Sequence, residues 1–270
     1  MTLRHLYMPV FEIFVFLRQS NETTIKMDRR EFLKTTACAA AATAIATTPL
    51  AACDNIFSNL TGKKMKVLMI NGSPRADGNT FTALGEIAKQ LNKHGVETEL
   101  VQLGTKPLHC CIACGHCRNG KHCVFDDDPC NEIIDKMAAS DALIVGTPTY
   151  YGQPNGGVLS VMQRVFYAGS DYTQNKPAAG VAVCRRGGAT AALNSLNMMF
   201  QLSNMPMVTS QYWNIVYGRA KGEAALDTEG MQTMRTLADN MAWMLAKIHA
   251  GDSPDYPQRE SEWKGMNFIR

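Results

Sequence analysis

Apolar residues along this chain fall into short continuous runs separated by segments with helical spacing. Lys66-Val67-Leu68-Met69-Ile70 is the first such run and reads as a buried strand. A polar loop, Asn71 to Thr80, leads from it into helical spacing that runs from Phe81 to about His94. Glu97 to Leu103 alternates apolar and polar positions, the pattern of a less buried strand. Asn131 to Ala139 reads as a short helix, and Ala142 to Thr147 as a second central strand. A helix from Gly157 to Ala168, a third strand from Ala178 to Val183 and a helix from Ala189 to Leu202 follow. Met207 to Trp213 is the expected last strand, and Thr228 to Ala250 the final long helix. Strands with no polar face, alternating with helices, predict an α/β domain: a doubly wound, five-stranded parallel sheet covered by helices on both sides. No internal repeat or second-domain linker interrupts residues 64–250.

Ligands of such sheets sit at the carboxyl ends of the strands, and three loops there carry candidate chemistry. The first is Asn71-Gly72-Ser73-Pro74-Arg75-Ala76-Asp77-Gly78-Asn79-Thr80. A strand, a tight polar loop and a helix N-terminus in that order form an anion cradle, because backbone N–H groups converge and the helix dipole favours negative charge. Ser73, Asn79 and Thr80 add side-chain donors, and Arg75 a fork-shaped cation suited to phosphate. The spacing is neither G-x-G-x-x-G nor G-x-x-x-x-G-K-[ST], and no lysine follows Gly78, so a phosphomonoester fits better than a triphosphate with magnesium. An ordinary Asn/Thr-capped turn is the plainer alternative. The second loop, Pro148-Thr149-Tyr150-Tyr151-Gly152-Gln153-Pro154-Asn155-Gly156-Gly157, offers flat aromatic surface and close backbone approach. The third, Cys184-Arg185-Arg186-Gly187-Gly188, places cations and glycines where an electron-rich ring edge would lie. One loop for phosphate and two for a planar ring describe a mononucleotide with a large heterocycle, and FMN is the natural candidate.

These loops carry a family resemblance. Gly72-Ser73-Pro74-Arg75 through Gly78-Asn79-Thr80, Pro148 to Gln153, and Arg186-Gly187-Gly188 resemble the NADPH-dependent FMN reductase-like proteins of the flavodoxin fold. The likeness covers roughly residues 64–250, and the terminal Asn267-Phe268-Ile269-Arg270 shares it. The resemblance implies FMN phosphate held by Ser73, Arg75, Asn79 and Thr80. It implies ring contacts from Pro148, Thr149, Tyr150, Tyr151 and Gly152, and from Arg186, Gly187 and Gly188. It also implies a homodimer or higher homo-oligomer.

Cysteine use adds a second cofactor. Six of nine cysteines fall within residues 110–130. Cys111, Cys114, Cys117 and Cys123 form C-x2-C-x2-C-x5-C, three thiolates at successive three-residue steps with a fourth beyond the turn at Asn119-Gly120. That set suits a [4Fe-4S] cluster and resembles the motif of the iron–sulfur flavoproteins, a branch of the same family. Two alternatives stay open. Zinc usually takes two CxxC knuckles farther apart, though His116 and His122 lie close enough to compete; disulfides suit an oxidising compartment. Cys184 reads as a packed thiol, and Cys110 and Cys130 have no assigned role.

Charge and the N-terminal region set the partners. Net charge is +3, of which residues 1–53 carry +2, six Lys/Arg against four Asp/Glu, so the remainder lacks the basic stripe that nucleic acid requires. Met27-Asp28-Arg29-Arg30-Glu31-Phe32-Leu33-Lys34 resembles a twin-arginine export signal. An apolar Ala/Thr stretch follows, and then Leu50-Ala51-Ala52-Cys53, which resembles a lipobox with Cys53 as the lipidated residue. The expected organisation is a signal over 1–53 with Met27 as the start, a tether over 54–63, the domain over 64–250 with its cysteine-rich loop 104–130, and a tail over 251–270. Location would be extracytoplasmic, anchored to the inner membrane through Cys53. The expected function is an FMN-dependent, electron-transferring oxidoreductase in which flavin handles electron pairs and the cluster single electrons. Its donor or acceptor would be a quinone, a redox protein or NAD(P)H. The alternatives are an NAD(P)H-dependent FMN or quinone reductase with structural cysteines, and a binding module without turnover.

Overall fold

The computed structural model describes residues 64–250. The export-signal, lipobox and Cys53 readings, and the tail, lie outside the described residues. Strand β1 (Lys66–Asn71) leads to helix α1 (Asn79–Lys93), then β2 (Glu97–Gln102), a one-turn helix α2 (Cys117–Gly120) and α3 (Cys130–Ala138). Next come β3 (Ala142–Tyr150), β4 (Gln153–Pro154), α4 (Gly156–Ala168) and β5 (Ala178–Cys184). Helix α5 (Ala189–Leu202), β6 (Ile215–Tyr217) and α6 (Thr228–Ile248) complete the order.

The parallel strands lie in the order β2-β1-β3-β5-β6, with β4 folded back antiparallel on the end of β3. Leaving β4 aside, this is the flavodoxin-like 2-1-3-4-5 winding, whose switch point lies between the first and third strands. Because side chains alternate along a strand, Val67 and Met69 face α1 and α6, while Leu68 and Ile70 face α3 and α4. Leu84, Ile87 and Leu91 of α1 and Met234, Leu237, Met241 and Leu245 of α6 fill one layer. Ile133, Ile134, Val158, Val161, Met162 and Val165 fill the other. Burial on both faces explains why β1, β3 and β5 read as unbroken apolar runs.

The last strand departs from expectation. Met207 to Trp213 contributes only an isolated bridge from Met207 to Ala178, and the strand proper is Ile215–Tyr217, paired with Ala182 to Cys184. Two buried β-branched residues, Ile215 and Val216, make that strand, whereas Tyr212 and Trp213 turn out to solvent. The buried Asn214 amide, which donates to Gly180 O at 3.1 Å, anchors the chain just before it. The sheet therefore has five parallel strands and a sixth short antiparallel one. Among the described residues no helix is long and apolar enough to cross a membrane.

Candidate functional site

The carboxyl edge of the sheet brings the first loop against β3 and α4. Gly72 N–H donates to Gly146 O at 2.8 Å, and a Cβ on Gly72 would stand 1.8 Å from Val158 Cγ2, so only glycine fits. Asn71, fully buried at the strand end, accepts from Ser73 N–H at 3.1 Å, and Gln102 bridges the Asn71 amide to Ser73 O. Ser73 Oγ in turn accepts from Arg75 N–H at 3.1 Å, which closes the turn and leaves the hydroxyl proton to point elsewhere. Helix α1 begins beyond Gly78 with no capping side chain and no acid in its first turn. Helices α4 and α6, by contrast, are capped by Asn155 and Asp227. The first N–H groups of α1 thus present the positive end of the dipole to the loop. Arg75 is exposed at its crest.

Asn79 and Thr80 are placed differently from Ser73 and Arg75. Thr80 is buried in the core side of α1. Both ends of the Asn79 amide are taken up by a fourth loop, residues 218–224: Nδ2 donates to Ala220 O at 2.9 Å and Oδ1 accepts from Ala224 N–H at 3.1 Å. Lys221 pairs with Asp77, and Gly218 N–H donates to Cys184 O at 3.0 Å, so this loop braces the anion cradle from the β6 side. Sequence reasoning missed it; its contacts span more than 140 residues, and no local pattern encodes them.

The second and third loops meet. Thr149 pairs with Pro154 and Tyr150 with Gln153, leaving Tyr151 and Gly152 as a two-residue hairpin turn with φ of 50° and 76°. Two left-handed central residues define a type I′ turn. Gly152 adopts that backbone freely, while Tyr151 holds its ring wholly in solvent from a conformation aromatic residues seldom adopt. Gly188, φ 87°, opens α5, and a Cβ there would lie 2.8 Å from Gly152 Cα. Beside this junction the Thr149 hydroxyl is buried with no hydrogen-bond partner among the described residues, the kind of orphaned group a bound heterocycle would satisfy. Pro148 is half-buried, and Arg186 and Gly187 are exposed at the rim. Cys184 lies below, buried, and burial pushes its thiol above the usual range. Gly188→Ala is expected to cost about 1–3 kcal/mol through the left-handed backbone and the contact with Gly152, read as a lower melting temperature and weaker retention of FMN.

On the other flank of α4, Cys111, Cys114, Cys117 and Cys123 line one cavity of about 650 Å³ with Phe125, Arg164 and Tyr167. Ala113 and Gly115 have left-handed φ of 54° and 74°, reversals that curve the backbone between Cys111, Cys114 and Cys117. All seven described cysteines are free thiols. Among the described residues no three His, Cys, Asp or Glu side chains converge closely enough to hold a single metal ion; the four cysteines are spread along the cavity lining instead. His122 is engaged with Asp135 at 2.8 Å and His109 stacks on Phe125 at 4.0 Å. Asn131 pins the fourth cysteine, accepting from Cys123 N–H at 2.7 Å and donating to Cys123 O and Phe125 O at 3.1 Å. Cys110 contacts Ser160 Oγ at 3.1 Å. Cys130 is buried beside Cys123, and its thiol is pushed up to about 12, by burial first and by neighbouring Cys123 and Asp128 against the opposing pull of Arg164.

Arg164 of α4 organises this flank. Its side chain and that of Asp128 are each 1% exposed and form an ion pair. The same guanidinium donates to Cys123 Sγ at 3.1 Å, His109 O at 3.2 Å and Phe125 O at 3.4 Å. Burial pushes the Asp128 carboxyl up, but hydrogen bonds from Arg164 and from the N–H groups of His109 and Cys130 outweigh that and hold it below the usual carboxylate range. Sequence reasoning passed over Arg164. The available signal was a cation on the apolar face of a helix, three residues after Val161 and four before Ala168.

A flavodoxin-like sheet with a polar loop, an uncapped helix start and two converging loops at its carboxyl edge is the architecture in which such folds bind a mononucleotide. The model of the NADPH-dependent FMN reductase family matches residues 65–220, and the chain belongs to that family; it is an FMN-dependent oxidoreductase. An iron-sulfur flavoprotein of Methanocaldococcus jannaschii is 32% identical over 192 residues, covering 68% of this chain and 99% of that protein. An NADPH azoreductase of a Bacillus species is 29% identical over 137 residues, 50% of this chain and 66% of that protein. Among solved structures, a flavone reductase superposes with a TM-score of 0.52 at 18% identity, covering 68% of this chain and 64% of that one, a likeness of fold.

Proposed function

We propose that this chain is an electron-transferring iron–sulfur flavoprotein. FMN phosphate is held by Ser73, Arg75 and the first N–H groups of α1, with Asn79 bracing the cradle and Thr80 closing its base. The ring lies between Pro148-Thr149-Tyr150-Tyr151-Gly152 and Arg186-Gly187-Gly188, where the unpaired Thr149 hydroxyl gains a partner. A [4Fe-4S] cluster takes Cys111, Cys114, Cys117 and Cys123, a donor set of four thiols on one cavity wall. When bound, the flavin supplies two-electron chemistry and the cluster one-electron transfer. Arg186 and the N–H groups of Gly187 and Gly188 stabilise negative charge at the ring edge. This chemistry requires no side chain as a general acid.

The observation that carries this reading is that both sites rest on one helix. Val158 packs against Gly72 of the cradle, and Arg164 donates to Cys123 of the cysteine cavity. The two positions are about 9 Å apart along the axis of α4 at the rise of an α-helix. One rigid element thus supports both candidate sites. The name of the iron-sulfur flavoprotein relative supports the same assignment. Cys114→Ser is expected to remove most of about four irons per chain and leave FMN in place, checked by iron, sulfide and flavin assay. Retention of full iron content would exclude Cys114 as a ligand.

The proposal extends to location: twin-arginine export, lipidation at Cys53 and a membrane quinol or redox protein as electron donor, with a homo-oligomer completing the flavin site. A second reading, an NAD(P)H-dependent reductase with structural cysteines, is favoured by the family description and by the azoreductase relative. Anaerobic mixing separates them. Slow flavin bleaching by NADPH and fast bleaching by a quinol is the expected result; fast bleaching by NADPH would establish the second reading.

A further inference from the structure

Arg164 is placed beyond what stability asks. Burying a guanidinium against one carboxylate rarely stabilises a fold more than apolar side chains of the same volume would. This one also reaches three groups on two loop segments at once, His109 O on one and Cys123 Sγ and Phe125 O on the other. Its ring-face contact with Phe125, 5.3 Å from the centroid, fixes the plane of the fork. The Nε–H points at the sulfur of Cys123 at 3.1 Å, while Asp128 pairs with a terminal nitrogen. The ion pair is therefore a buried dipole with its positive end on one thiol of the cysteine cavity.

We propose that Arg164 is a positioning residue for the cluster: it orients Cys123 as the fourth ligand and raises the cluster's reduction potential. The inference rests on the iron–sulfur reading given above. Cluster reduction is the uptake of one electron, with no bond broken and no proton moved. An N–H directed at a ligand sulfur and a positive charge in a water-poor setting both favour the more negative, reduced form. A guanidinium cannot release its proton in a protein, so the donor is constant. Lysine would keep the charge and its pairing with Asp128 but present a point ammonium, which cannot direct a fixed fork at sulfur, carboxylate and carbonyls together.

Two variants of the full chain test this: Arg164→Lys, and Arg164→Gln combined with Asp128→Asn, which leaves no charge buried alone. Each is purified without oxygen, assayed for iron, sulfide, FMN and melting temperature, and titrated electrochemically with electron paramagnetic resonance detection. The expected result is retained FMN and cluster with a lower potential in both. In the double variant the ratio of reduced to oxidised cluster at fixed potential falls about tenfold, equal to about 59 mV for one electron. Iron lost from Arg164→Lys, with FMN and melting temperature unchanged, also supports the positioning role. Wild-type potentials in both variants overturn the proposal, as does joint loss of iron, FMN and fold in both, which marks Arg164 as a structural ion pair alone. Wild-type protein without iron and sulfide removes the premise, a failure of the iron–sulfur reading that is visible before any variant is made.

Discussion

Replacing Gly72 with alanine is expected to weaken FMN binding about 100-fold, a loss of about 2.7 kcal/mol, and to lower stability. The new Cβ would lie 1.8 Å from Val158 Cγ2 and 2.8 Å from Gly146 O. The first contact is a side chain that moves only by disturbing the packed face of α4; the second is backbone of the neighbouring strand. Overpacking in a dense core costs about 1–3 kcal/mol, and here relief comes from lifting the loop that forms the anion cradle. Adding Val158→Ala removes the shorter contact, so the double variant should recover part of the loss while the contact with Gly146 O persists. Iron content should stay unchanged, because the cysteine cavity lies two helical turns along α4. Isothermal titration of the flavin-free protein with FMN, beside a thermal melt, reads both effects. Wild-type affinity in Gly72→Ala would mean that this loop does not hold the phosphate.

The second large effect falls on the buried ion pair. Arg164→Met is expected to destabilise the domain by about 3–5 kcal/mol, because the Asp128 carboxylate keeps only the N–H groups of His109 and Cys130. At the scale of this domain that lowers the melting temperature by about 10 °C or more. Adding Asp128→Asn should restore a good part of it, since no lone charge then remains buried. The pH dependence has a definite sign. The folded-state pKa of Asp128 is depressed, so its contribution is present above the unfolded carboxylate value of about 3.9 and disappears as pH falls through the folded value. The stability difference between wild type and Asp128→Asn should therefore be constant at neutral pH and shrink below about pH 4. Chemical denaturation across that range checks it.

Much of the scaffold was legible because its causes are local. Ala142 to Val145 and Ala178 to Val183 are buried on both faces, and continuous burial writes itself as continuous apolar sequence. The first loop was legible because a strand, Gly72, Ser73 and a helix start follow each other within ten residues. The last strand was not: Met207 and Val208 carry the same apolar signal as Ile215 and Val216, and only pairing with β5 decides between them. The engagement of Asn79 with residues 218–224 and of Arg164 with residues 109–128 is equally invisible to periodicity, because each partner arrives from a different loop. Asparagine at a helix start reads as a ligand for whatever lies above it; here a returning loop takes both ends of its amide. The cysteine spacing was plain, but its placement beside a buried arginine was a property of the fold.

In the proposed function one domain holds FMN and a [4Fe-4S] cluster on opposite flanks of α4. The most direct test is the absorption spectrum of the protein purified without oxygen, taken with iron, zinc and acid-labile sulfide content. The expected spectrum has flavin bands above a broad iron–sulfur shoulder, with about four irons and four sulfides per chain. Flavin with zinc, or flavin with no metal, would contradict the cluster, and failure to retain or rebind FMN would contradict the cradle itself.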